Sequence, residues 1–136
     1  MIDIKIDPNL CKKLNIEIVY LFGSQVKGTD AVSSDFDIAV LFSNTFSSDE
    51  LFRRTVTFAQ ELKTQYKYEF NIVVLNNATS LLKYEVISHS KVLYSRNDQE
   101  RIKFEVGTVK VYIDDQHIRE IYAQALQDRV SKGIYK

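Results

Sequence analysis

The stretch that decides the reading is Leu21-Phe22-Gly23-Ser24, followed after ten residues by Asp35-Phe36-Asp37. The segment leading into it, Ile16 to Phe22 (IEIVYLF), is β-branched and aromatic, as is Asp35 to Phe42 (DFDIAVLF), and both are expected to be strands. On a strand, residues i and i+2 share a face at a spacing of about 6–7 Å. Asp35 and Asp37 therefore present two carboxylates on one side, while Phe36, Ile38, Val40 and Phe42 pack on the other. Carboxylates that close repel, and one takes up a proton unless a cation sits between them. Oxygen ligands of this kind suit Mg²⁺, which typically binds together with substrate phosphates. The Gly-Ser pair supplies the complementary half. A glycine lets backbone approach a phosphate closely, and N–H groups at the start of a helical turn favour an anion. The Ser24 hydroxyl can donate as well, and Lys27 adds a positive charge one turn on. Together these residues describe a site for a metal-bound nucleoside triphosphate. Gly23 to Gly28 also mimics the opening of a P-loop, but Thr29 stands where that motif needs its lysine, so the P-loop reading is rejected.

Working outward, Asp7-Pro8 reads as the cap and first residue of a short helix to Leu14. Ser47 with Glu50 forms a capping box that opens a helix to Tyr66, with Leu51, Phe52, Val56, Ala59, Leu62 and Tyr66 as its expected apolar stripe. Tyr68 to Leu75 is expected to be a third strand, Thr79 caps a helix to about Ser88, and Lys91 to Tyr94 suggests a short edge strand. From Asp98 the pattern is helical to about Tyr112, is expected to break at Asp114-Asp115, and resumes to about Ser131. The fold class expected is α+β, a small mixed β-sheet flanked by helices, with strands weighted to the first half and helices to the last, suggestive of helices packed on one side. The 136 residues suit one domain, with a core over about 16–95 and a helical segment over about 98–136.

Composition narrows the function classes. Lys plus Arg and Asp plus Glu both total 18, so the chain has no overall basic footprint, and direct nucleic-acid binding is not expected. There is no apolar run of the length a membrane span needs, and the opening MIDIKIDPNL does not read as a secretory signal, so a cytoplasmic protein is expected. One Cys and two His exclude an internal disulfide and a Cys/His zinc site. Cys11, His89 and His117 read as residues without a special role, and Arg53-Arg54 and Lys63 to Lys67 as a solvated helix face. The C-terminal apolar residues Tyr112, Ile113, Ile118, Ile121, Tyr122 and Leu126 either pack back on the sheet or form a partner interface.

The Gly23-Ser24 and Asp35-x-Asp37 pattern resembles the signature of the minimal nucleotidyltransferases, in the DNA polymerase β-like superfamily. Gly28, Ser34-Asp35 and Ile38-Ala39-Val40 match as well, as do Leu75-Asn76 with Ala78, then Leu82, Glu85-Val86-Ile87 and Val92-Leu93-Tyr94. The similarity runs from about Val19 to Tyr94, and the tail (Tyr112-x-Asp114, Tyr122 to Leu126, Gly133-x-Tyr135) resembles the antitoxin branch of HEPN/MNT toxin–antitoxin systems. The resemblance implies a polymerase β-like fold and an enzyme using Mg²⁺ and ATP. In that branch the enzyme adenylylates a tyrosine of a HEPN-type toxin, with which it forms a hetero-oligomeric complex. Carried onto this sequence, Asp35 and Asp37 would hold the metal, and Gly23, Ser24 and Lys27 the nucleotide.

Two positions depart from the family pattern. Gln25 and Lys27 stand where arginines are common. A third carboxylate, usual on the third strand, aligns with Asn71, while Glu69 lies two residues earlier. The catalytic set is thus Asp35 and Asp37 with either Asn71 or Glu69. Three functions remain in play: an adenylylating antitoxin, an antitoxin that neutralises by binding alone, and a nucleotidyltransferase with a small-molecule acceptor. The short chain argues against the last.

Overall fold

The structure, a computed structural model, describes residues 4–23, 36–43 and 45–133. In chain order the elements are α1 (Pro8–Leu14), β1 (Ile16–Phe22), β2 (Phe36–Phe42), α2 (Ser48–Tyr66), β3 (Phe70–Val74), a 3₁₀ turn (Leu75–Asn77), α3 (Ser80–Ser88), β4 (Ser90–Ser95) and α4 (Asp98–Ser131). The helix starts follow their caps. The side chain of Asp7 accepts from Asn9 N, Ser47 from Glu50 N, Thr79 from Leu82 N, and Asn97 from both Gln99 N and Glu100 N. Each satisfies backbone donors that the first helical turn leaves unpaired.

The four strands form one sheet in the order β3-β2-β1-β4. The pairs β1–β2 and β1–β4 are antiparallel and β2–β3 is parallel, so the sheet is mixed. The parallel step is the one bridged by α2, as parallel neighbours require a crossover. A register shift between Ile16 and Ile18 brings Ile16, Val19 and Leu21 into one core cluster while Ile18 and Tyr20 join the other. The alternation of DFDIAVLF holds: Phe36, Ile38, Val40 and Phe42 enter a core with Cys11, Leu14, Leu51, Phe58 and Leu62 from α1 and α2. Ala39 joins Ile18, Tyr20, Leu75 and Val86, with Ile87 and Phe104 of α3 and α4 packed against them. Helices therefore cover both faces of the sheet, where the order of elements had suggested one.

Three further expectations differ from the structure. First, α4 is one continuous helix of 34 residues with no break at Asp114-Asp115. Aspartate is a weak helix former rather than a breaker. Here Ser80 Oγ donates to Asp115 at 2.5 Å, and Tyr112 stacks on Tyr84 at 3.8 Å, which holds α4 against α3 through this point. Second, the buried stripe of α2 is Leu51, Phe58 and Leu62, whereas Phe52 is 69% exposed. Third, β3 begins at Phe70 and its expected last residue, Leu75, opens the 3₁₀ turn. There the Asn76 side chain accepts from Phe42 N at 2.9 Å and donates to Phe42 O at 3.0 Å. One amide thus completes both backbone bonds at the end of β2.

Candidate active site

The register fixes which residues meet at one end of the sheet. Phe22 of β1 pairs with Asp37 of β2, and Asp37 pairs with Asn71 of β3. The chain leaves β1 through Gly23 at φ +85°, a left-handed conformation that side chains rarely adopt. A Cβ at Gly23 would collide with the Asp37 carboxylate. The glycine is therefore required twice, by its backbone angle and by the carboxylate seated against it. Asn71 donates its side-chain N–H to Asp37 Oδ1 at 3.2 Å. Asp37 is half-buried and Asn71 exposed, so the edge is open to solvent.

This geometry separates the two candidates for the third position. Asn71 stands directly across from Asp37. Glu69 precedes β3, and its carboxylate is bound by Lys63 Nζ of α2 at 2.7 Å. Its backbone carbonyl accepts from Phe36 N at 3.2 Å and so fixes the start of the parallel pairing. Glu69 acts through its main chain here, and the amide of Asn71 is what contacts Asp37.

Ser24, Lys27 and Asp35 lie outside the described residues, as do Gln25 and Gly28. Of the expected site, the structure brings together Gly23, Asp37 and Asn71. Among the described residues, no three His, Cys, Asp or Glu side chains cluster in a way that could hold a metal. The close fit of Gly23 to Asp37 is a second role for that glycine, beyond the phosphate approach read from the motif. Its signal in the sequence was the glycine at the strand end, but the partner became visible only with the β1–β2 register.

Other charged and polar groups lie away from this edge. Arg54 is partly buried rather than fully solvated: its guanidinium lies 4.1 Å from the Phe46 ring centroid and bonds Glu50 at 2.9 Å. His89 caps α3 and its ring lies 3.6 Å from Glu85, while His117 sits exposed within α4. Cys11 is fully buried in the α1 core, and burial, with Asp7 nearby, pushes its thiol up to about 12, so it stays a neutral, inert thiol. Tyr20, at the middle of β1, donates its hydroxyl to Glu105 at 2.7 Å, and Arg101 holds both oxygens of Glu105 at 3.2 Å. Burial raises the Tyr20 phenol, which keeps that proton in place and ties β1 to α4. No helix among the described residues is long and apolar enough to cross a membrane.

Comparison with known proteins bears on this edge. Residues 5–99 match the family described as polymerase beta, nucleotidyltransferase. The chain is 32% identical over 115 residues to the protein adenylyltransferase MntA of Shewanella oneidensis, covering 85% of this chain and 76% of that protein. It is similar to a chain of a toxin–antitoxin crystal structure with AMP-PNP, at 27% identity and a TM-score of 0.67, over 90% of this chain and 99% of that one. It is also similar to a chain in the structure of the tri-AMPylated Shewanella oneidensis HEPN toxin in complex with MNT antitoxin, at 25% identity and a TM-score of 0.63, over 88% and 91% of the two chains. On these grounds the chain belongs to the polymerase β nucleotidyltransferase family, and it is a minimal nucleotidyltransferase of the antitoxin branch.

Proposed function

We propose that this enzyme transfers AMP from Mg-ATP to a tyrosine of a cognate HEPN-type toxin in the cytoplasm and thereby silences it. The observation that carries the reading is the juxtaposition of Gly23, Asp37 and Asn71 at one open sheet edge. The adenylyltransferase relative and the toxin–antitoxin structures support the choice of reaction and partner.

The donor set fits a hard cation, because the side chains at this edge offer oxygen atoms and Asp37 is held in place by a glycine that has no Cβ to displace it. Asp35 and Asp37 would hold Mg²⁺, which when bound neutralises charge on the phosphates of ATP. Gly23, Ser24 and Lys27 would bind those phosphates. In the transfer, the tyrosine oxygen forms a bond to the α-phosphorus, the bond from that phosphorus to the bridging oxygen breaks, and pyrophosphate leaves with the electron pair. The phenolic proton passes to solvent water, to which this edge is open. Asn71 is neutral and cannot accept it, so its part is to hold one oxygen of Asp37 and fix the carboxylate's orientation. Catalysis then rests on positioning and electrostatics.

A second reading has its own observation. A neutral amide bonded to Asp37 is also what a decayed site would leave, and the chain would then neutralise its toxin by binding alone. Replacing both Asp35 and Asp37 by Ala separates the two in a growth assay with the toxin. The enzymatic reading expects neutralisation to be lost, and the binding-only reading expects it to persist.

A further inference from the structure

We propose that α4, together with the cleft between it and α3, is the seat for an amphipathic helix with acidic edges, presented by the protein partner. This rests on the partner reading above and names the surface that serves it.

Past Asp115, α4 leaves the body of the protein, and residues 116–133 are all exposed. That is on the order of 24 Å of helix up to Ser131, at 1.5 Å per residue. A lone helix of this length is marginal in water. Yet it carries Ile118 at 50%, Ile121 at 56% and Tyr122 at 73% exposure. The apolar residues are in step with the packed half. Phe104, Val111, Ile118 and Ala125 recur every seven residues, and the positions between them are Gly107, Asp114 and Ile121, so the seam carries one charged residue at its middle. A seven-residue recurrence is the seam on which a second helix lies at a shallow angle.

The packed end of this seam is a cleft of about 470 Å³ lined by Lys83 of α3 and by Lys103, Phe104, Gly107 and Val111 of α4. Gly107 has helical backbone and nothing within 4 Å of where its Cβ would be. It weakens the helix by about 1 kcal/mol relative to Ala and gains no packing within this chain. What it provides is a notch where another backbone can approach. Lys83 and Lys103 flank that notch, and neither makes a salt bridge among the described residues. Two cations beside an apolar floor complement a helix with an apolar stripe and acidic edges. They are too few, and the floor too apolar, for a nucleic-acid backbone.

The test is a titration of the full chain against its cognate HEPN-type toxin, comparing wild type with Gly107→Leu and, separately, with Lys83→Glu combined with Lys103→Glu. A Cβ at Gly107 meets nothing within 4 Å in the free chain and leucine is the better helix former, so the melting temperature of Gly107→Leu is expected to be no lower than wild type. Each variant is expected to weaken the complex at least about tenfold, as for a central interface position. Complexes of equal strength for wild type and both variants would overturn the surface and leave the partner reading standing. A wild-type chain that forms no complex overturns the partner reading and takes the surface with it. Self-association of the wild type that Gly107→Leu abolishes, with toxin binding unchanged, assigns the groove to a second copy and also overturns the proposal.

Discussion

Asn71 and Asn76 serve opposite ends of the same pair of strands, and the same amide does different work at each. At the closed end, Asn76 gives one atom to each backbone group of Phe42 and so finishes the β2 edge. At the open end, Asn71 reaches across the parallel pairing and holds one oxygen of Asp37. Phe42 is buried there, while Asn71 is exposed. The comparison teaches that side-chain chemistry alone does not separate a structural asparagine from one at a site. What separates them is whether the partner is a backbone group that the fold must satisfy or a carboxylate that the fold leaves accessible.

That contrast can be broken most severely at the open end. Gly23→Ala places a Cβ against the Asp37 carboxylate and at a positive φ, so the carboxylate must move. A displacement of about 1 Å at a reacting centre can cost about a hundredfold in rate, and a loss of that order is expected in AMP transfer. Turnover near wild type would mean that the seating of Asp37 against Gly23 has no part in catalysis.

Asn71→Asp sharpens the comparison. It restores a carboxylate opposite Asp37, one able to accept the acceptor's proton, and a rise of roughly tenfold or more is expected, modest beside the usual range for general bases. Rates measured across a pH series give the check. An unchanged or lower rate would place the third catalytic group elsewhere.

Asn76→Ala is expected to have the smallest effect on activity and a clear one on stability. Two hydrogen bonds to Phe42 are lost at about 1 kcal/mol each, so denaturant unfolding should show roughly 2 kcal/mol of destabilisation. The folded fraction should retain its turnover. A catalytic defect without a stability change would reverse the roles assigned to the two asparagines.

The sequence disclosed β2 well because DFDIAVLF opens with Asp and apolar residues in alternation and continues as a short apolar run, the pattern of a strand buried on both faces. It disclosed Gly23 because a glycine at a strand end beside an Asp-x-Asp motif is an uncommon conjunction. It did not resolve Asn71 from Glu69, since both share one strand parity and only the pairing of Asp37 with Asn71 distinguishes them. The break expected in α4 failed for a different reason. Local propensity at Asp114-Asp115 is overridden by the Ser80 bond to Asp115 and the Tyr84–Tyr112 stack, both contacts between residues far apart in sequence. The stripe of α2 was read correctly at Leu51, Leu62 and Tyr66 but missed Phe58 and included Phe52, because closely spaced apolar residues allow more than one helical face and packing chose the face of Phe58. The phosphate-side candidates Ser24 and Lys27, with Asp35, rest on the motif and the family.

On the proposed function, the edge formed by Gly23, Asp37 and Asn71 is catalytically competent despite its neutral third position. The most direct measurement is the intact mass of the toxin after incubation with this chain, ATP and Mg²⁺, with the Asp35→Ala, Asp37→Ala double variant as control. An increment of one or more AMP groups, absent with the control, is expected. An unmodified toxin that nonetheless forms a stable complex with the chain would contradict it.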